Sequence, residues 1–151
     1  MKKLVFLFFS LSILSGQAQQ TAAGSVEIAI RDFFSAFHAR DSVALREKVS
    51  PSIHMQTIGR TASGSDSVIT VPFGNFLKSI VRIPDSVRLE ERLLSISVLE
   101  DGQLAQAWTP YEFWVDGKMS HCGVNAFHLV RERGTWKILH IVDTRRREGC
   151  E

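Results

Sequence analysis

The chain has little cysteine, proline or tyrosine: two Cys, four Pro and one Tyr in 151 residues. Two cysteines leave room for at most one internal disulfide. No HxH, HxxH or HExxH spacing occurs among the five histidines, so no metal site is expected. There is no Gly-rich phosphate loop and no Ser-centred nucleophile elbow, and no cofactor is expected. Neither sign of charge dominates, with 18 Lys and Arg against 16 Asp and Glu. Lys2 and Lys3 are two of those 18, so a chain without its first residues is formally neutral. Three consecutive arginines, Arg145 to Arg147, are too few to make a neutral chain a nucleic-acid binder. Internal repeats, linkers and low-complexity runs are also missing.

One long apolar run is present, Leu4 to Leu14, about eleven residues and too short to span a membrane. Lys2 and Lys3 precede it, and Gly16-Gln17-Ala18 follows with small residues where a signal peptidase needs them. Residues 1–18 therefore read as a removable secretory signal, with a buried N-terminal helix as the alternative. Export predicts a periplasmic or secreted bacterial location, with 19–24 as a disordered leader and 25–151 as one domain. After export, Cys122 and Cys150 are expected to pair, closing a loop of about 28 residues worth about 2–4 kcal/mol; two free thiols are the alternative.

The rest of the chain is rich in phenylalanine, with ten Phe and three Trp for a core. Val26, Ala29, Ile30, Phe33, Phe34 and Phe37 follow the i, i+3, i+4, i+7 pattern of an amphipathic helix over about 26–39, capped at Ser25. Asp41 caps a shorter helix over 43–49, and Ser50-Pro51 ends it. A short strand is expected over 52–58, then a Gly/Ser/Thr-rich stretch over 59–67 that is a loop or the start of another strand. Pro72 opens a third helix that ends before Pro84. Residues 87–99 alternate as one long strand. Asp116-Gly117 and Arg133-Gly134 then divide 103–147 into a three-strand antiparallel meander. The fold class is α+β: a curved antiparallel sheet wrapped around a long N-terminal helix, with two shorter helices.

The FFSAF core of the first helix and the strands ending in GTWKILHIV resemble the nuclear-transport-factor-2-like superfamily, which includes ketosteroid-isomerase-like and SnoaL-like proteins. The segment PYEFWVDGKMSHCGVNAF, with WKILHIVDTRR and a terminal Cys, resembles its exported bacterial lumazine-binding branch. The resemblance covers nearly the whole chain after the leader. It implies a cone-shaped sheet around an apolar pocket, with His54 on a strand near the pocket mouth. It also implies a homodimer through the outer face of the sheet.

Two-residue turns at the two glycines would pair Glu112 with His121, Trp108 with Asn125, Phe127 with His140 and Asn125 with Val142. Trp108, Glu112, Trp114, His121, Asn125, Phe127 and His140 would then share one face, the expected pocket wall. Tyr111, Phe113, Cys122, Ile141 and Asp143 would share the other; a bulge would exchange parts of these sets. On this register Glu112 and His121 form an acid/base dyad or a rim salt bridge. Trp108, Trp114, Asn125, His140 and His54 are the candidate ligand contacts, although Asn125 also suits a structural hydrogen bond and His140 a core position. Asp143 is expected to be part of a charged strand end that keeps the edge soluble, with pairing to Arg145 on its own strand face or to an Arg of a partner subunit as the alternatives. Three functions fit: a binder of a small apolar or aromatic molecule, a metal-free isomerase- or dehydratase-like enzyme using Glu112 and His121, or an interaction module filled by its own side chains.

Overall fold

A computed structural model describes residues 14–60 and 64–150, with side chains described from Ser25 onward except at Arg60. Most of the proposed signal segment lies outside the described residues. Helix α1 runs Leu14–His38, so Ser25 lies within it and does not cap it. Its apolar stripe is as the periodicity predicts: Val26, Ile30, Phe33, Phe34 and Phe37 are all buried. Helix α2 (Ser42–Lys48) begins at Asp41, whose carboxylate accepts the Val43 and Ala44 amides at 3.0 and 2.9 Å. That satisfies two of the donors a helix start leaves open. Helix α3 (Phe73–Val81) follows Pro72 and buries Phe73, Leu77 and Ile80.

The strands are β1 (Val49–Arg60), β2 (Asp66–Thr70), β3 (Leu89–Leu93), β4 (Ser97–Asp101), β5 (Leu104–Val115), β6 (Lys118–Glu132) and β7 (Thr135–Arg146). They form one sheet in the order β2-β1-β7-β6-β5-β3, with β4 also on β5. The expected long strand over 87–99 is interrupted and becomes β3 and β4, both antiparallel to β5. Strand β1 lies parallel to the last strand, β7.

Both hairpin turns are where the glycines place them. Asp116 and Gly117, and Arg133 and Gly134, all have positive φ, the backbone that two-residue hairpins of matching twist require. Val115 faces Lys118 and Glu132 faces Thr135, as derived from the turns. Each hairpin then slips by one residue. The register shifts between Phe113 and Trp114, leaving Ser120 extra on β6. It shifts again between His128 and Leu129, leaving Leu139 extra on β7. A one-residue slip exchanges the faces of everything beyond it. Glu112 therefore pairs with Cys122 and His121 with Phe113; Asn125 pairs with Thr109 and Asp143; and Phe127 pairs with Ile141.

The core sits between α1, α3 and the concave face of the sheet. Ala105, Ala107, Phe127, Leu129, Trp136, Ile138 and Ile141 meet the helix stripes there. Phe127 packs edge-on against both Phe33 and Phe34, at 6.4 and 6.0 Å between ring centres. Cys122 and Cys150 are bridged, which ties the segment after β7 back to β6. Among the described residues no helix is long and apolar enough to cross a membrane.

Candidate functional site

A cavity of about 600 Å³ occupies the space between α1, α3 and the concave sheet. That is within the roughly 300–1,000 Å³ range of small-molecule sites. Its helical wall is Phe33, Phe34 and Phe37 from α1 and Phe76 from α3. Phe113 and Phe127 face them from the sheet. The period of α1 puts the three phenylalanines on one side, so the core stripe and the cavity wall are the same surface. A core filled by its own side chains is not what the sequence builds, and the interaction-module reading loses its main support.

The sheet side of the cavity carries the polar groups. Asn125, buried on β6, donates its Nδ2 to Glu91 Oε1 at 2.8 Å and to Thr109 Oγ1 at 3.4 Å. Glu91 stands on β3, and its own backbone N–H donates to His38 Nε2 at 2.8 Å, which pins the end of α1 to the sheet. Burial pushes the Glu91 carboxyl up to about 7; the Asn125 hydrogen bond works against this and Asp143 adds to it. Burial likewise holds the His38 imidazole below its usual value.

Beside this lies a second group. Tyr111, 2% exposed, donates its hydroxyl to the Thr144 carbonyl at 3.0 Å and to Asp143 Oδ2 at 3.4 Å. Arg145 Nε donates to the same Asp143 oxygen at 2.7 Å. Burial, with the Asp143 and Glu91 carboxylates nearby, raises the Tyr111 phenol far enough to keep it protonated. His121 stacks on Phe113 at 4.9 Å and meets the Tyr111 ring edge-on at 5.9 Å. Its pKa is lowered, first by burial and then by Arg145, with Asp143 opposing. Thr57, facing Asp143 across the β1–β7 pair, has a buried hydroxyl with no hydrogen-bond partner among the described residues.

Of the residues expected in the pocket wall, the structure brings His121, Asn125 and Phe127 into it. Glu112 is a correction. It lies on the outer face, where Trp114 Nε1 donates to it at 2.8 Å and Arg92 stacks over the Trp114 ring at 4.1 Å. Glu112 and His121 are on opposite faces of the sheet, so the dyad does not exist. Trp108 and Trp114 are outside for the same reason, Trp108 being 52% exposed. His140 also faces outward, bonded to Gln56 at 3.1 Å and stacked with His128 at 5.5 Å. His54 is its exposed neighbour on β1. Met55, the next residue on that strand, lines the cavity.

Glu91, Tyr111, Asp143 and Arg145 are the site residues that sequence reasoning missed. The Asp143–Arg145 pair was legible from spacing, but its face was not. Buried tyrosine in a chain with a single tyrosine was a usable signal. Glu91 gave none, because the pattern LEERL places it among exposed charges. Among the described residues no group of three or more His, Cys, Asp or Glu side chains is arranged to hold a metal ion.

No family model matches the chain, and no curated protein matches it. Solved structures do. An NTF2-like protein with a cystatin-like fold from Novosphingobium aromaticivorans superposes with a TM-score of 0.67 at 14% identity, covering 93% of this chain and 92% of that one. A candidate dehydratase of the NTF2-like family from Streptomyces avermitilis gives 0.65 at 16% identity, covering 85% and 98%. A ketosteroid isomerase-like protein from Erwinia carotovora atroseptica gives 0.58 at 13% identity, covering 82% and 95%. At these identities the likeness establishes the fold: this is the α+β nuclear-transport-factor-2-like fold.

Proposed function

We propose that this nuclear-transport-factor-2-like chain binds a small, largely apolar or aromatic molecule inside its cone. The observation that carries the reading is the Phe-walled cavity of about 600 Å³ ending in convergent polar groups from Glu91, Asn125, Tyr111 and Thr57. Apolar walls supply most of the affinity of such a site and a few placed polar groups orient the occupant. In this reading the protein is exported after removal of residues 1–18, and belongs with the lumazine-binding branch that its PYEFWVDGKMSHCGVNAF segment resembles. It dimerises through the outer sheet face, where Leu99, Leu104, Trp108 and Val68 are more than half exposed.

Thermal-shift titration with aromatic and flavin-like heterocycles tests binding, since an occupant that binds only the folded state raises the melting temperature. Ser79 lines the cavity from α3 and is solvent-exposed. Ser79→Trp should fill the space and abolish the shift. A shift that survives Ser79→Trp, or no shift with any compound, refutes the reading.

A second reading is favoured by one observation, the Glu91 carboxyl near 7. Such a group exchanges protons at neutral pH and suits acid/base chemistry on a bound carbon acid. It replaces the Glu112–His121 pair as the catalytic hypothesis. Enzyme-dependent deuterium exchange into a bound carbonyl compound, lost in Glu91→Gln, would establish it; exchange that Glu91→Gln leaves intact would rule Glu91 out.

A further inference from the structure

The main cavity shares His121 and Arg145 with a second, smaller cavity of about 300 Å³, whose other lining residues are Arg146 and Arg147. Arg145 therefore stands at the junction of the two spaces, and Arg146 and Arg147 line only the smaller one. Only Arg145 has a carboxylate partner, Asp143 at 2.7 Å. Arg146 reaches the Gly149 carbonyl at 3.5 Å, and among the described residues no carboxylate pairs with Arg146 or Arg147. The proton affinity of His121 is lowered by burial, by Arg145 and by Arg147, with Asp143 acting the other way. The strand end that carries these arginines is held in place. Cys122 is the register partner of Arg146, and its bridge to Cys150 anchors the chain just beyond them. At the Glu91–Asn125 group, by contrast, a carboxyl near 7 and a neutral amide offer nothing to a second negative charge.

We infer that the occupant is an amphipathic organic anion. Its apolar body lies among the phenylalanines, and its carboxylate-, sulfonate- or phosphate-type group sits between Arg145, Arg147 and His121. The inference rests on the cavity being a binding site, and it adds the charge, polarity and orientation of what binds. Guanidinium suits this task because its planar fork meets two oxygens of such a group at once.

Two fluorescent probes of nearly the same shape separate the claims: 8-anilinonaphthalene-1-sulfonate, and N-phenyl-1-naphthylamine, which lacks the sulfonate. The sulfonate probe should bind the wild-type protein more tightly, displace the neutral probe competitively, and weaken as salt is added. Replacing Arg147 by Gln should weaken the sulfonate probe about tenfold, a change of about 1.4 kcal/mol. The same variant should leave the neutral probe within about twofold, and Arg147→Lys should retain most of the sulfonate affinity. Equal, salt-insensitive binding of both probes, or no effect of the Gln variant, overturns the inference while leaving the pocket a binding site. Non-competitive binding of the sulfonate probe also overturns it. Failure of both probes to bind overturns the binding reading and the inference together.

Discussion

Replacing Glu91 by Gln should change how stability depends on pH. The Glu91 carboxyl has an ordinary value near 4.5 and is pushed up to about 7 in the folded protein, first by burial. Between those values the unfolded chain gives up this proton while the folded protein keeps it. The folded state is therefore favoured below pH 4.5, loses that advantage as pH rises toward 7, and changes no further above it. At 1.36 kcal/mol for each pH unit, the difference amounts to about 3 kcal/mol of stability. Gln keeps the oxygen that accepts from Asn125 at this position and cannot ionise. Urea unfolding at pH 5 and pH 8 provides the assay. Wild type should lose about 3 kcal/mol from this group between the two, whereas Glu91→Gln should not, so the variant gains on wild type as pH rises. An identical pH dependence for the two proteins would refute the account, and so would a variant that is weaker at pH 8 than at pH 5 relative to wild type.

Further outcomes follow from other parts of the fold. Gly123→Ala should destabilise severely, by about 3 kcal/mol or more. A Cβ there would lie 1.8 Å from the Thr144 carbonyl oxygen and 3.0 Å from the Tyr111 ring, and thermal melting would show it. Phe127→Ala should cost about 3–5 kcal/mol in denaturant unfolding, because its ring is 1% exposed and packs on two helix phenylalanines. Reducing the Cys122–Cys150 bridge should lower stability by about 3 kcal/mol, read from melting with and without reductant. Glu112→Gln should leave ligand binding within twofold in any titration, since its carboxylate serves Trp114 on the outer face.

The fold was largely legible in the sequence because its signals are local. The phenylalanine stripe of α1, the Asp41 cap and the two glycine turns each act within a few residues of themselves. The disulfide was legible because two cysteines allow one pairing. The site was not, and the reason is specific. Ser120 and Leu139 are inserted residues that leave no compositional mark, yet each reverses the facing of every side chain further along the hairpin. Between the turn and the slip, pairing is as the turn dictates; beyond it, Glu112 and Trp108 move outward and Tyr111 and Asp143 move inward. Asn125 and His121 stay on the pocket side, because the slip at Ser120 changes which β5 side chains share their face and leaves their own alternation along β6 intact. Glu91 required the third strand in place before its neighbours could be known.

Strand β1 runs alongside β7, with His54 opposite His140. A ribosome delivers these two strands at nearly opposite ends of its work on this domain. While β5 and β6 can zip together as soon as their turn emerges, β1 must wait with an unsatisfied edge until the last dozen residues are available. If the chain crosses a membrane as it is made, that closing step and the bridging of Cys122 to Cys150 fall at the same late moment on the far side. Trimming a few residues from the C-terminus would therefore leave the earliest strand without its neighbour as well as shortening the last one.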